Sequence, residues 1–99
     1  MKGLALARES AAAGSCFGQL VVGACYSHGL GVAQDYAEAV RLYRLAAAQG
    51  LAGAQNSLGY MFENGLGVAQ DRAEAIRWYR LAAAQGDANG TAWLKRLGA

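Results

Sequence analysis

The chain contains no proline. Nothing of that kind interrupts a helix, so its 14 glycines must supply the punctuation. Histidine is almost as scarce. His28 stands alone, and a metal site built on two histidines cannot form within one chain. Lysine occurs only at Lys2 and Lys95. Cys16 and Cys25 are too few for a disulfide framework. On one helix their nine-residue separation places them on opposite faces, roughly 13 Å apart along the axis and beyond bridging distance. Both read as reduced, packed residues. Long apolar runs are missing too: none approaches the roughly 18–20 residues needed to span a bilayer. Excess charge of one sign is also lacking. A net charge of +2 gives no reason to expect a nucleic acid or a membrane surface as partner. The N-terminal apolar patch is cut short by Arg8 and Glu9, before it reaches the length of a signal-peptide core. That segment reads as mature cytoplasmic protein, and as secreted or periplasmic only if a leader has been removed.

What is present is apolar and periodic. With 55% hydrophobic and 16% charged residues, the chain is too apolar for a disordered segment, and 99 residues make one small domain. Shifted by 36 positions, the sequence falls on itself. Between 29–50 and 65–86 only three positions differ: Tyr36/Arg72, Val40/Ile76 and Leu42/Trp78. Gln19, Gly23 and Tyr26 continue the frame onto Gln55, Gly59 and Phe62, and Leu94 falls on Leu58. A period in the thirties predicts a helical solenoid.

Each unit predicts two helices. In the second unit these cover about 52–63 and 72–85. Ala54, Leu58, Met61 and Phe62 form one buried stripe; Ala75, Ile76, Tyr79, Ala82 and Ala83 form the other. Gly59 opposes helix formation by about 1 kcal/mol relative to alanine, which predicts a close helix–helix approach where no side chain fits. The run GLGVAQD occurs twice and predicts a corner. Gly29 and Gly65 end one helix, Gly31 and Gly67 allow the turn, and Asp35 and Asp71 cap the next helix. With Glu38 and Glu74 they give D-x-x-E, the capping-box spacing. Gly86 stands where a left-handed C-cap belongs. The expected architecture is all-α: six short helices in antiparallel pairs, forming a right-handed α/α superhelix. Its divisions are a partial unit over 3–14, units over 15–50 and 51–86, and a capping helix over 87–99.

With these positions fixed, the stretch Ala54–Ala88 resembles the Sel1-like repeat, a relative of the tetratricopeptide repeat. The resemblance rests on Ala54, Leu58-Gly59, Phe62, Gly65-x-Gly67-Val68, Asp71, Ala75, Trp78-Tyr79, Ala82-Ala83 and Gly86. The first unit departs modestly, with Val22 for leucine and Leu42 for tryptophan. The resemblance implies an adaptor whose stacked helix pairs hold a partner protein on a concave face. A cysteine-rich branch of the family, linked to β-lactam binding or hydrolysis, carries cysteines where this chain has Ala47 and Ala83. That activity is therefore the lowest-ranked alternative.

No catalytic or cofactor motif competes with that reading. The glycine runs lack the lysine of a phosphate-binding loop and the third glycine of a dinucleotide fingerprint, and Asp35 or Asp71 would repel a phosphate. Cys25 and His28 lie one helical turn apart, but Cys25 matches the core residue Met61. Glu38 and Glu74 are capping residues, not an acid/base pair. Arg8, Arg41, Arg44, Arg77 and Arg80 recur at the period and predict a solvated outer ridge, with an acidic partner as the alternative. The first helices carry a stripe that changes between units while the corners are copied: Leu20, Ala24, Ser27 and His28, then Asn56, Tyr60, Glu63 and Asn64, then Ala92 and Arg96. This stripe is the candidate groove for a partner protein or peptide, with Tyr60 as anchor. Self-assembly is the second reading, through the apolar ends marked by Leu4, Leu6 and Trp93.

Overall fold

Residues 16–98 are described by the structure, a computed structural model, and every regular element among them is an α-helix. The order is α1 (Cys16–His28), α2 (Tyr36–Ala48), α3 (Ala52–Asn64), α4 (Arg72–Ala84) and α5 (Ala88–Leu97). Six helices were expected and five lie among the described residues. The helix expected over 3–14, with Leu4, Leu6 and Arg8, lies outside them. Each helix packs chiefly on its neighbours in the chain, and α3 also touches α5. Packing chiefly between chain neighbours is what makes a solenoid.

The corners follow from local backbone chemistry. Gly29, Gly31, Gly65 and Gly67 all have φ between +65° and +75°, the left-handed region that a side chain strongly disfavours. The Gly65 N–H donates to the Met61 carbonyl, as does that of Leu66 at 2.9 Å, closing the last turn of α3. Gly67 has a second reason to lack a side chain. A Cβ there would stand 2.5 Å from the Tyr36 carbonyl oxygen, because the second corner rests on the start of α2. Val32 and Val68 turn inward onto the core clusters.

Asp35 and Asp71 cap α2 and α4, each accepting from the N–H of Glu38 or Glu74 at 3.1 Å. Only this half of the predicted capping box forms. The N–H groups of Asp35 and Asp71 donate instead to the carbonyls of Tyr26 and Phe62 at 2.9 Å. The Glu38 and Glu74 carboxylates are taken by Arg41 and Arg77, one turn on. The corner thus absorbs the donor that the glutamate would otherwise serve.

The main core joins Ala39, Tyr43 and Ala46 of α2, Ala54, Leu58 and Met61 of α3, and Ala75 and Tyr79 of α4. Alanines at the contacts keep the helices close, and the large rings fill the remaining space. Gly23 and Gly59 explain how. A Cβ on Gly59 would sit 2.7 Å from Cε1 of Tyr79, and one on Gly23 would sit 2.8 Å from Cε1 of Tyr43. What comes closest to these glycines is thus a tyrosine side chain, and not the helix–helix backbone contact that was expected. Polar rungs repeat at the unit spacing. Gln49 Nε2 donates to the buried Gln19 at 2.8 Å, and Gln85 Nε2 donates to the buried Gln55 at 2.9 Å.

Candidate functional site

The first helices of successive units, α1, α3 and α5, line one face, and among the described residues two hollows open along it. One, of about 200 Å³, is bounded by Ser27 and His28 of α1, Tyr43 of α2, Asn56, Ser57, Tyr60 and Met61 of α3, and Trp93 of α5. The other, of about 560 Å³, lies between α3 and α5, bounded by Gly53, Asn56, Ser57, Asn89, Ala92, Trp93 and Arg96. Asn56, Ser57 and Trp93 border both.

Six of the stripe residues expected to form a groove therefore stand in these walls: Ser27, His28, Asn56, Tyr60, Ala92 and Arg96. The others sit differently. Leu20 packs on the core, with Cδ2 3.3 Å from where a Gly53 Cβ would be, and Ala24 borders neither hollow. Asn64 donates its amide to the Tyr60 carbonyl at 3.0 Å and is exposed beyond the hollows. Glu63 is largely covered. Its carboxylate accepts the Tyr79 hydroxyl at 2.9 Å and pairs with Arg96 at 2.5 Å, so it braces the wall.

Trp93 is the main departure from expectation. Instead of marking an apolar end, its indole stacks on Tyr79 with ring centres 5.7 Å apart and planes 11° apart. Tyr60 leans against it at 6.0 Å, and the Arg96 guanidinium lies 4.6 Å from its ring centre. Tyr79 is thus enclosed by Gly59, Trp93 and the Glu63 carboxylate. Burial, and then donation to Glu63, push its phenol pKa well above that of an ordinary tyrosine. Tyr43, its counterpart one unit earlier, is also raised by burial, but the Ser27 and Ser57 hydroxyls beside it act the other way.

Ser57, Trp93, Tyr43, Met61, Gly53 and Asn89 are wall residues that the stripe did not include. A signal for two of them was available. Ser57 and Trp93 are equivalent at a shift of 36, and their size mismatch is the largest along the first helices.

Asn56, a residue of the candidate groove, is only 9% exposed. Its amide N–H donates to Asp87 at 2.6 Å, and Asp87 also caps α5 by accepting from Gly90 N–H at 2.8 Å. The Asn56 carbonyl oxygen is buried and has no donor. An acceptor left in that state costs about 1–3 kcal/mol.

The outer ridge is already paired in part. Arg41 and Arg77 hold Glu38 and Glu74, Arg44 lies 5.4 Å over the Phe62 ring, and Arg77 lies 4.7 Å over Trp78. Cys25 packs with Val22 and Leu42, while His28 is exposed. Among the described residues no three of His, Cys, Asp and Glu converge, and no helix is long and apolar enough to cross a membrane.

The pattern described as the Sel1 repeat matches residues 17–51 and again 52–87. A crystal structure of a protective antigen present in uropathogenic Escherichia coli strains, displaying an SLR fold, superposes with a TM-score of 0.83 at 46% identity. It covers 85% of this chain, which spans 18% of that protein. A Sel1 repeat protein from Oxalobacter formigenes superposes with a TM-score of 0.82 at 41% identity, over 84% of this chain and 63% of that one. No curated protein matches the chain.

Proposed function

The chain belongs to the Sel1 repeat family, and on that premise we propose that it is a non-catalytic adaptor that holds a partner polypeptide in the groove formed by α1, α3 and α5. The units over 15–50 and 51–86 carry the groove, and 87–99 closes it. The observation that carries this reading is the pair of hollows at one face, lined by groups that offer hydrogen bonds, with the exposed ring of Tyr60 at the smaller one. Half-exposed aromatic rings beside sheltered polar groups are typical of binding hot spots.

Peptides selected by display on the immobilised chain test it. Tyr60→Ala combined with Ala92→Arg should weaken the selected peptides about tenfold or more. Arg80→Glu on the outer helix should leave them bound. Equal loss from both changes, or loss from neither, would remove the groove as the binding face.

A further inference from the structure

We infer that the 200 Å³ hollow is a socket for a tryptophan side chain of the partner polypeptide, an inference that rests on the groove reading above. The repeat itself supplies the template. In the second unit the tyrosine ring packed on glycine is covered by an indole: Tyr79 lies against Gly59 on one side and Trp93 on another. In the first unit Tyr43 lies against Gly23 in the same way, but the position equivalent to Trp93 is Ser57, and the position equivalent to Glu63 is Ser27. The space that Trp93 and Glu63 fill in one unit is the hollow of the other, bordered by those two serines and by Tyr43.

Size, polarity and charge agree on the occupant. A cavity of about 150 Å³ is enough for benzene, whereas pockets for drug-sized ligands start at roughly 300 Å³, so this one suits a single large side chain. Tyr43, Met61, Tyr60 and Trp93 offer it ring and thioether contacts. Two serine hydroxyls provide acceptors for the indole N–H or for a backbone N–H delivered with it. The carboxylates near the hollow are already engaged. Glu63 is held by Arg96, and Asp87 by Asn56 and the α5 N-terminus. A neutral side chain is therefore favoured over a charged one, and binding should vary little with salt.

The test uses the full chain and N-acetyl-tryptophanamide as probe, followed by amide chemical shifts. The probe should saturate, moving the amides of Ser27, Tyr43 and Ser57. N-acetyl-leucinamide should bind about 3- to 10-fold more weakly for want of ring stacking. Ser57→Trp places the chain's own indole in the socket and should abolish the probe's saturable shifts while the helical circular dichroism is retained. If that variant does not fold, Ser27→Glu, which copies the second unit at another wall, serves in its place with the same expected loss. Absence of saturable shifts in the wild type overturns the socket, as do shifts confined to the outer helices or unchanged probe affinity in a folded filling variant. A folded Ser57→Trp chain that still holds its groove-bound peptides at full affinity also overturns the socket, and leaves the groove reading standing. Probe binding that the filling variant removes supports the socket even where no groove peptide is recovered.

Discussion

The two units share nearly all of their second helices and corners, yet they treat one tyrosine differently. Tyr79 is fully buried, with Trp93 stacked on it and Glu63 accepting its hydroxyl. Tyr43 occupies the same place on the same kind of helix, with serines in place of both partners and a hollow beside it. The comparison teaches where repetition stops. Copied positions set helix ends and helix spacing, which any unit needs in order to stack. The positions that vary decide whether a unit's outer space is filled by the chain or left for something else.

Trp93→Ser breaks this comparison most severely, because it rewrites the second unit in the terms of the first. Loss of a stacked, half-buried indole should destabilise the chain by about 3 kcal/mol, at the low end for removing a large aromatic. Urea unfolding followed by circular dichroism measures it. The same variant should open a saturable site for N-acetyl-tryptophanamide beside Tyr79 while weakening the first, which loses the Trp93 ring from its wall, and a change in stability without the new site would separate packing from socket.

A smaller effect is expected from one added methyl group in each unit. Gly59→Ala drives a Cβ against a Tyr79 ring that Trp93 holds from elsewhere, so overpacking of about 1–3 kcal/mol outweighs the gain of about 1 kcal/mol in helix propensity. Gly23→Ala makes nearly the same clash with Tyr43, but that ring borders a hollow into which it can move. The second variant should unfold close to wild type and the first at clearly lower urea. Equal losses would mean that the hollow gives Tyr43 no freedom.

The corners were legible in the sequence because their causes are local. A glycine that must adopt positive φ, and an aspartate before an apolar run, declare themselves within a few residues. The half-formed capping box marks the limit of that reasoning: D-x-x-E identifies the cap, but a nearby arginine decides where the glutamate goes. The groove was only partly legible, since its decisive contacts join residues about 30 positions apart. Helical spacing puts Glu63 on the stripe, but Arg96, 33 residues on, folds against it. Asn56 meets Asp87 across a similar span. Trp93 had no partner in the linear pattern, because the ring that receives it belongs to the previous helix pair.

The caps should show the opposite of asymmetry. Asp35→Ala and Asp71→Ala each remove one side-chain acceptor from helix starts whose first turns differ only at Tyr36 against Arg72, so each should cost about 1 kcal/mol, and by nearly the same amount. A larger loss at Asp71 would show that the second unit depends on its neighbours even at its corner, and would narrow the distinction between copied and variable positions.

Alkaline pH provides the finest comparison, because it leaves the protein unchanged at neutrality. Both buried phenols have their pKa raised above the ordinary value near 10, so the folded state holds its protons where the unfolded state releases them. The sign follows: this contribution to stability is complete below about pH 10 and is lost as pH rises through the folded values. The two should not contribute equally. A phenolate at Tyr79 would face the Glu63 carboxylate that now accepts its hydroxyl, whereas the serines near Tyr43 can donate to a phenolate. Tyr79→Phe should therefore flatten the decline of unfolding free energy above pH 10 more than Tyr43→Phe does. The slope is the readout, since each variant also loses a hydrogen bond at every pH. Equal flattening would show that burial alone sets both phenols, and that Glu63 braces the wall without influencing the tyrosine it touches.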